Sequence, residues 1–106
     1  KKILAIMGMM ADKEVDAALA HLLPCFSCVI TTTPSNPRSM SAEELAEKAR
    51  KRGTKAIALA DFETAVTESL QMLTAYDALV VCGSLYLAGD VRQIFISLID
   101  KFSNNY

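Results

Sequence analysis

An α/β fold, a parallel sheet with helices on both faces, is what this 106-residue sequence predicts, and three observations predict it. Short apolar runs recur four times, at KILAIM (2–7), FSCVIT (26–31), KAIAL (55–59) and ALVVC (78–82), each without strict polar alternation. Patterns of helical period separate them. No repeat, low-complexity linker or composition shift divides the chain. Strands covered on both faces need no polar alternation, and strands that alternate with helices are joined by right-handed crossovers. Residues 1–106 are therefore expected to form one domain of four βα units in three layers.

Each helix has its own signals. The first starts from Asp12 as N-cap and repeats Val15, Ala18, Leu19 and Leu22 at helical spacing, with Pro24 as its stop. The second opens on a capping box, Ser41 with Glu44 three residues on, and closes at Gly53, which suits the left-handed C-terminal position. A third, over about 62–74, carries Val66, Leu70 and Leu73 inward. The last is predicted from Val91, Ile94, Phe95, Leu98, Ile99 and Phe102 on one stripe. The one long loop, TTPSNPRSM, follows the second strand, where two prolines oppose regular structure.

Composition narrows the function. Eleven Lys and Arg against twelve Asp and Glu, interspersed, give a formal net charge of −1, so no large field attracts nucleic acid or anionic lipid. No mainly apolar run reaches the roughly 20 residues of a bilayer crossing, and KKILAIMGMM lacks a small-residue cleavage site. A soluble, cytoplasmic protein is expected. Of three cysteines, Cys28 and Cys82 lie in strand-like runs and read as reduced, buried thiols. Cys25 and Cys28 form a C-x-x-C, but it leads into a strand rather than opening a helix, and zinc would need more ligands.

In such a sheet, ligands bind beyond the carboxyl ends of the strands where the winding reverses. The loops that matter are GMMADKE (8–14), TTPSNPRS (32–39), ADFE (60–63) and GSLYLAGD (83–90). Gly8 and Gly83 each end a strand, where the missing Cβ permits a sharp turn or the close approach of a ligand or loop. Ser84 either caps the last helix or offers its hydroxyl, with free N–H groups, to a carboxylate or phosphate. Asp12 and Lys13 are a cap and a solvated charge, or an orienting carboxylate and a cation at the crevice. Arg38, between Pro37 and Ser39, is either solvated or a stiffly presented guanidinium for a bidentate anion contact.

Other chemistries lack their parts. Asp61 ends the third strand as a phosphoacceptor would, but paired acids after the first strand and a lysine after a fifth are missing. ITTT stands after the wrong strand for a flavodoxin-type phosphate loop, and it contains no glycine. His21, the one histidine, lies within the first helix. No Ser-His-Asp set, metal cluster, G-x-x-x-x-G-K-[ST] or G-x-G-x-x-G is present, so no catalytic residue or metal ligand is assigned.

The three loops nonetheless carry a resemblance. GMMADKE is similar to the G-M-x-x-D-K-D stretch of folylpolyglutamate synthases, PRS (37–39) resembles their P-R-[AS], and CGSLYLAGDVR (82–92) their G-S-L-Y-x-x-[GA]-[ED]-[VL]-R. The motifs come in the family's order and span nearly the whole chain. The resemblance implies the Rossmann-like C-terminal domain of a Mur-ligase-type enzyme. Such an enzyme joins L-glutamate to the γ-carboxyl of a reduced folate through an acyl phosphate, using ATP and magnesium bound mainly by an N-terminal ATPase domain. It implies Ser84, Gly83 and Arg38 on the glutamate side, and Asp12, Lys13 and Gly8 on the interdomain, nucleotide side.

Departures qualify that expectation. The family's domain opens with a strand ending in D-x-A-H-N-P, and the present chain starts at Lys1, after it; Glu14 replaces the second aspartate of G-M-x-x-D-K-D. Family topology implies the strand order 4-1-2-3 with the missing strand beside the fourth, leaving an apolar edge prone to self-association. The chain, without first strands or ATPase domain, is then expected to be inactive alone. The alternatives are a free-standing flavodoxin-like or receiver-like module holding another anion, and part of another Mur ligase acting on a cell-wall peptide precursor.

Overall fold

The structure, a computed structural model, describes residues 2–11, 14–87 and 90–100, with 83–87 and 90–100 described through their backbone. Strands β1 (Ile3–Gly8), β2 (Cys28–Thr31), β3 (Lys55–Ala58) and β4 (Ala78–Leu87) alternate with helices α1 (Val15–Leu22), α2 (Ala42–Lys51) and α3 (Phe62–Met72), and β5 (Asp90–Asp100) follows. The sheet order is β3-β2-β1-β4-β5; the first four strands are mutually parallel, in the order 4-1-2-3 read from the other edge.

Both faces of the parallel sheet are covered, as the unalternating runs require. Ala5, Met7, Val29, Val80 and Cys82 pack beneath α1 and α2 with Val15, Leu19, Leu45, Ala46 and Ala49. Their strand neighbours Leu4, Ile6, Cys28, Ile30 and Leu79 point the other way, toward Ala65 of α3 and Tyr76. Successive strand residues thus enter two separate cores.

Local signals explain most helix ends. The Ser41 hydroxyl accepts the Glu44 N–H at 3.1 Å and opens α2. At its other end Gly53 has φ of 86°; its N–H reaches the Arg50 carbonyl at 2.9 Å and the Thr54 N–H reaches that of Ala49 at 3.1 Å, the two bonds of a Schellman ending. Helix α1 starts at Val15 with Glu14 in the cap position, making no side-chain cap bond. The predicted cap, Asp12, lies outside the described residues. Among the described residues no helix is long and apolar enough to cross a membrane.

Three expectations are corrected. In α3 the buried residues are Ala65 and Ser69, flanked by half-buried Val66, Met72 and Leu73, while Leu70 is 53 % exposed. At 100° per residue Leu70 falls about 100° from the centre of that face. The last segment is not a helix: β5 pairs antiparallel with β4 from Ala78↔Asp100 to Leu87↔Asp90. Val91, Ile94, Phe95 and Ile99 are strand formers as well as members of a helical stripe, and the open hydrogen-bonding row of β4 supplies a partner that a local pattern does not reveal. For the same reason the predicted bare β4 edge does not exist; β5 covers it. On the opposite edge strand, β3, the Arg50 guanidinium rests on the Ala56 carbonyl at 3.0 Å.

Cys28 and Cys82 are buried and Cys25 is exposed. Burial pushes the Cys82 thiol up to about 11 from the usual value near 9, and Cys28 upward as well. Thiol titration of the native protein is expected to show one fast group, Cys25, and two slow ones. A raised thiol value stabilises fully below pH 9 and loses that contribution as pH rises toward 11, on the order of 3 kcal/mol for Cys82. Urea unfolding at pH 8, 9.5 and 11 should show a shallower decline in Cys82→Ala than in the parent.

Candidate functional site

The sequence pattern directs attention to Gly8 and Gly83, and the register places them side by side. Ile3↔Ala78 through Gly8↔Gly83 pair without a break, so Gly8, which ends β1, and Gly83, where the pairing of β4 with β1 stops, are neighbours. The reversal of strand order lies between these strands, the usual place for a ligand crevice.

Gly8 has a packing reason of its own. A Cβ there would lie 2.9 Å from Pro34 Cγ and 3.0 Å from the Thr32 hydroxyl. The loop after β2 therefore folds directly onto the end of β1. Backbone bonds then fasten it: Met40 N–H donates to Met9 O at 2.9 Å, Ala11 N–H donates to Arg38 O at 2.7 Å, and Met10 and Ser39 form an antiparallel bridge. These contacts set Arg38, which is exposed, beside the turn that begins at Gly8.

The loop is also braced internally. Asn36 Oδ1 accepts the Arg38 N–H at 2.8 Å, the Ser39 hydroxyl donates to Pro34 O at 2.7 Å, and Ser39 N–H donates to Asn36 O at 3.0 Å. Its threonines serve α2: the buried Thr31 hydroxyl donates to Ala42 O at 2.7 Å and Thr33 Oγ1 accepts the Ala42 N–H at 2.9 Å. The bracing roles of Asn36, Ser39, Thr31 and Thr33 were not singled out from the sequence, where the signal was only a cluster of turn-forming polar residues beside two prolines.

Gly8, Gly83 and Arg38 therefore share one sheet edge. Asp12 and Lys13, which follow Ala11 in the sequence, lie outside the described residues, and Ser84 is described through its backbone alone. That backbone changes one expectation. Gly83 and Ser84 do not turn into a helix; β4 runs on to Leu87 with a register shift between them, Gly83 opposite Phe95 and Ser84 opposite Gln93. The pairing passes over Ile94 of β5, so a bulge in β5 lies opposite the Gly83–Ser84 step, and both of these residues stay in the ladder where a helix terminus was predicted.

Asp61 is a helix cap. Its carboxylate accepts the Thr64 N–H at 2.9 Å and the Thr64 hydroxyl at 2.8 Å, and these bonds hold it below the usual carboxylate range. His21 is exposed at the end of α1. Among the described residues no group of three His, Cys, Asp or Glu side chains could hold a metal ion. An open groove of about 320 Å³, lined by Leu19, Ala20, Leu23, Pro24, Arg52 and Thr54, lies at the opposite edge, where β2 and β3 begin.

Comparisons with known proteins agree with this architecture. The family profile described as Mur ligase, glutamate ligase domain matches residues 1–85. Two solved structures, Mycobacterium tuberculosis folylpolyglutamate synthase complexed with ADP and AMPPCP and the same protein complexed with ADP, are similar to the chain, each at a TM-score of 0.64 and 25 % identity. Each match covers 70 % of this chain and 17 % of the other. No curated protein sequence matches.

Proposed function

We propose, on the premise that this chain belongs to the Mur ligase family as a glutamate ligase domain, that it is the C-terminal part of an ATP-dependent folylpolyglutamate synthase. Its part in the reaction is to help hold the incoming L-glutamate at the carboxyl end of β1 and the adjoining Gly83 of β4. One observation carries this reading: Gly8 and Gly83 are register neighbours, and the loop bearing Arg38 is bound to the turn that follows Gly8. A guanidinium on a braced loop next to two adjoining glycines, Gly8 at the end of β1 and Gly83 within β4, fits a carboxylate, which accepts two parallel N–H bonds from arginine.

In the proposal Arg38, Gly83 and Ser84 lie toward the glutamate, and Gly8, Asp12 and Lys13 toward the rest of the enzyme and its nucleotide. The described residues offer no three-ligand cluster, and the sequence has no phosphate-binding glycine loop, so this chain does not fit ATP or magnesium as their main binder. Both belong, in this reading, to the N-terminal ATPase domain, which activates the folate γ-carboxyl. What the chain supplies is binding and orientation of the attacking amino acid, the kind of positioning worth several orders of magnitude in a two-substrate reaction.

Supplied with ATP, magnesium, a reduced folate and L-glutamate, this polypeptide alone is expected to release no phosphate and form no γ-glutamyl product. Joined into the M. tuberculosis synthase in place of the segment it matches, with that enzyme's D-x-A-H-N-P strand retained, it is expected to restore glutamate addition. Turnover by the isolated chain would refute the division of labour.

A further inference from the structure

We infer that Asn36 is a positioning residue for Arg38, so that the loop presents its guanidinium to a carboxylate ligand in an arrangement settled before binding. The ligand half of this inference rests on the reading of the strand-end edge as an acidic amino-acid site; the loop half does not.

The inference comes from where the loop's hydrogen bonds go. Arg38 has its carbonyl bound to the Ala11 N–H, which fixes one side of its peptide plane to the turn after β1. Its own N–H is held at 2.8 Å by a side chain, Asn36 Oδ1, rather than by the backbone ladder. Asn36 is in turn fixed at both its main-chain groups, its N–H on Pro34 O at 2.9 Å and its carbonyl under the Ser39 N–H at 3.0 Å. Pro34 is seated against Gly8. Asn36 is thus a side-chain link, beside the Ser39 hydroxyl on Pro34 O, in a chain of contacts from the β1 end, through Pro34, to the Arg38 backbone, and its side chain holds the Arg38 N–H itself. Holding a long, exposed side chain's backbone in place before binding removes part of the ordering cost that binding otherwise incurs. Aspartate at position 36 has an acceptor oxygen in the same place; alanine has none.

Two readouts separate the loop from the ligand. The Arg38–Ser39 peptide bond is a trypsin site, and Ser39 sits in the bridge to Met10, so cleavage there reports local opening of the brace. Asn36→Ala is expected to speed cleavage at this bond about tenfold, while Asn36→Asp stays near the parent rate. In a titration followed by amide NMR, Asn36→Ala is expected to weaken L-glutamate binding about tenfold, and Arg38→Ala to weaken it at least as much. Unchanged cleavage in Asn36→Ala, or equal cleavage in the Ala and Asp variants, overturns the positioning role whatever the ligand. Weakened binding in Arg38→Ala with none in Asn36→Ala also overturns it. If the parent binds no glutamate, or Arg38→Ala binds like the parent, the acidic amino-acid reading fails, and the cleavage rates alone decide the role of Asn36.

Discussion

Leu45→Ala is expected to lower the unfolding free energy by about 3–5 kcal/mol, the largest effect of any single substitution proposed for this chain. Leu45 is fully buried in the core beneath α1 and α2, among Val29, Leu19 and Met40. Removing its isobutyl group deletes the transfer free energy and leaves a cavity that the sheet below is too rigid to fill. A domain of this size has roughly 5–15 kcal/mol in total, so the loss is a large share of its stability. The companion substitution Leu70→Ala should change stability by less than about 0.5 kcal/mol, because that side chain is half exposed on α3. Denaturant midpoints of the two variants check the assignment of the α3 face directly. A cost for Leu70→Ala similar to that of Leu45→Ala would return Leu70 to the core.

The second large effect belongs to Gly8. Gly8→Ala places a methyl group 2.9 Å from the Pro34 ring and 3.0 Å from the Thr32 hydroxyl, and a proline ring has little freedom to retreat. Overpacking of this kind costs about 1–3 kcal/mol, or very roughly 5–20 °C in Tm for a domain of this length. The cost arises from crowding rather than from backbone conformation, since Gly53 is the positive-φ glycine among the described residues. Pro34→Ala should therefore rescue part of the loss in the double variant, a coupling that thermal unfolding of the four proteins measures. Strictly additive losses would mean that the ring and the strand end do not press on each other. Gly8→Ala should also loosen the loop that carries Arg38, because Pro34 is the loop's foothold on β1.

The parallel part of the fold was legible because both of its signals are local. An apolar run without alternation is what a doubly covered strand must be, and Ser41 with Glu44, or Gly53 after α2, are chemical requirements of helix ends. Strand order was not readable from such signals; it came through the resemblance carried by GMMADKE, PRS and CGSLYLAGDVR, and the register of β1 against β4 agrees with it. The segment after Gly83 shows where local reading fails. Residues 91–99 satisfy a helical stripe, yet most of them are equally at home in a strand, and the deciding contact is with β4, five to twenty residues back. Leu70 illustrates a smaller failure: of three apolar residues read as inward, Val66 and Leu73 do flank the buried pair Ala65 and Ser69, while Leu70 lies off that face.

For the site, glycines at strand ends and an arginine between Pro37 and Ser39 stood out because their residue types are unusual at such places. What ties them together did not. The bonds from Met9 and Ala11 to Met40 and Arg38 join backbone to backbone, and any sequence could make them. Asn36 and Ser39 act through side chains that elsewhere merely decorate a turn.

The most direct test of the proposed role is an amide NMR titration of the chain with L-glutamate. The prediction is that shifts concentrate at residues 8–11, 38–40 and 83–84, with Arg38→Ala removing them. Shifts confined to the groove around Leu19, Pro24 and Arg52 at the opposite edge, or none at the strand ends at saturating glutamate, would contradict it.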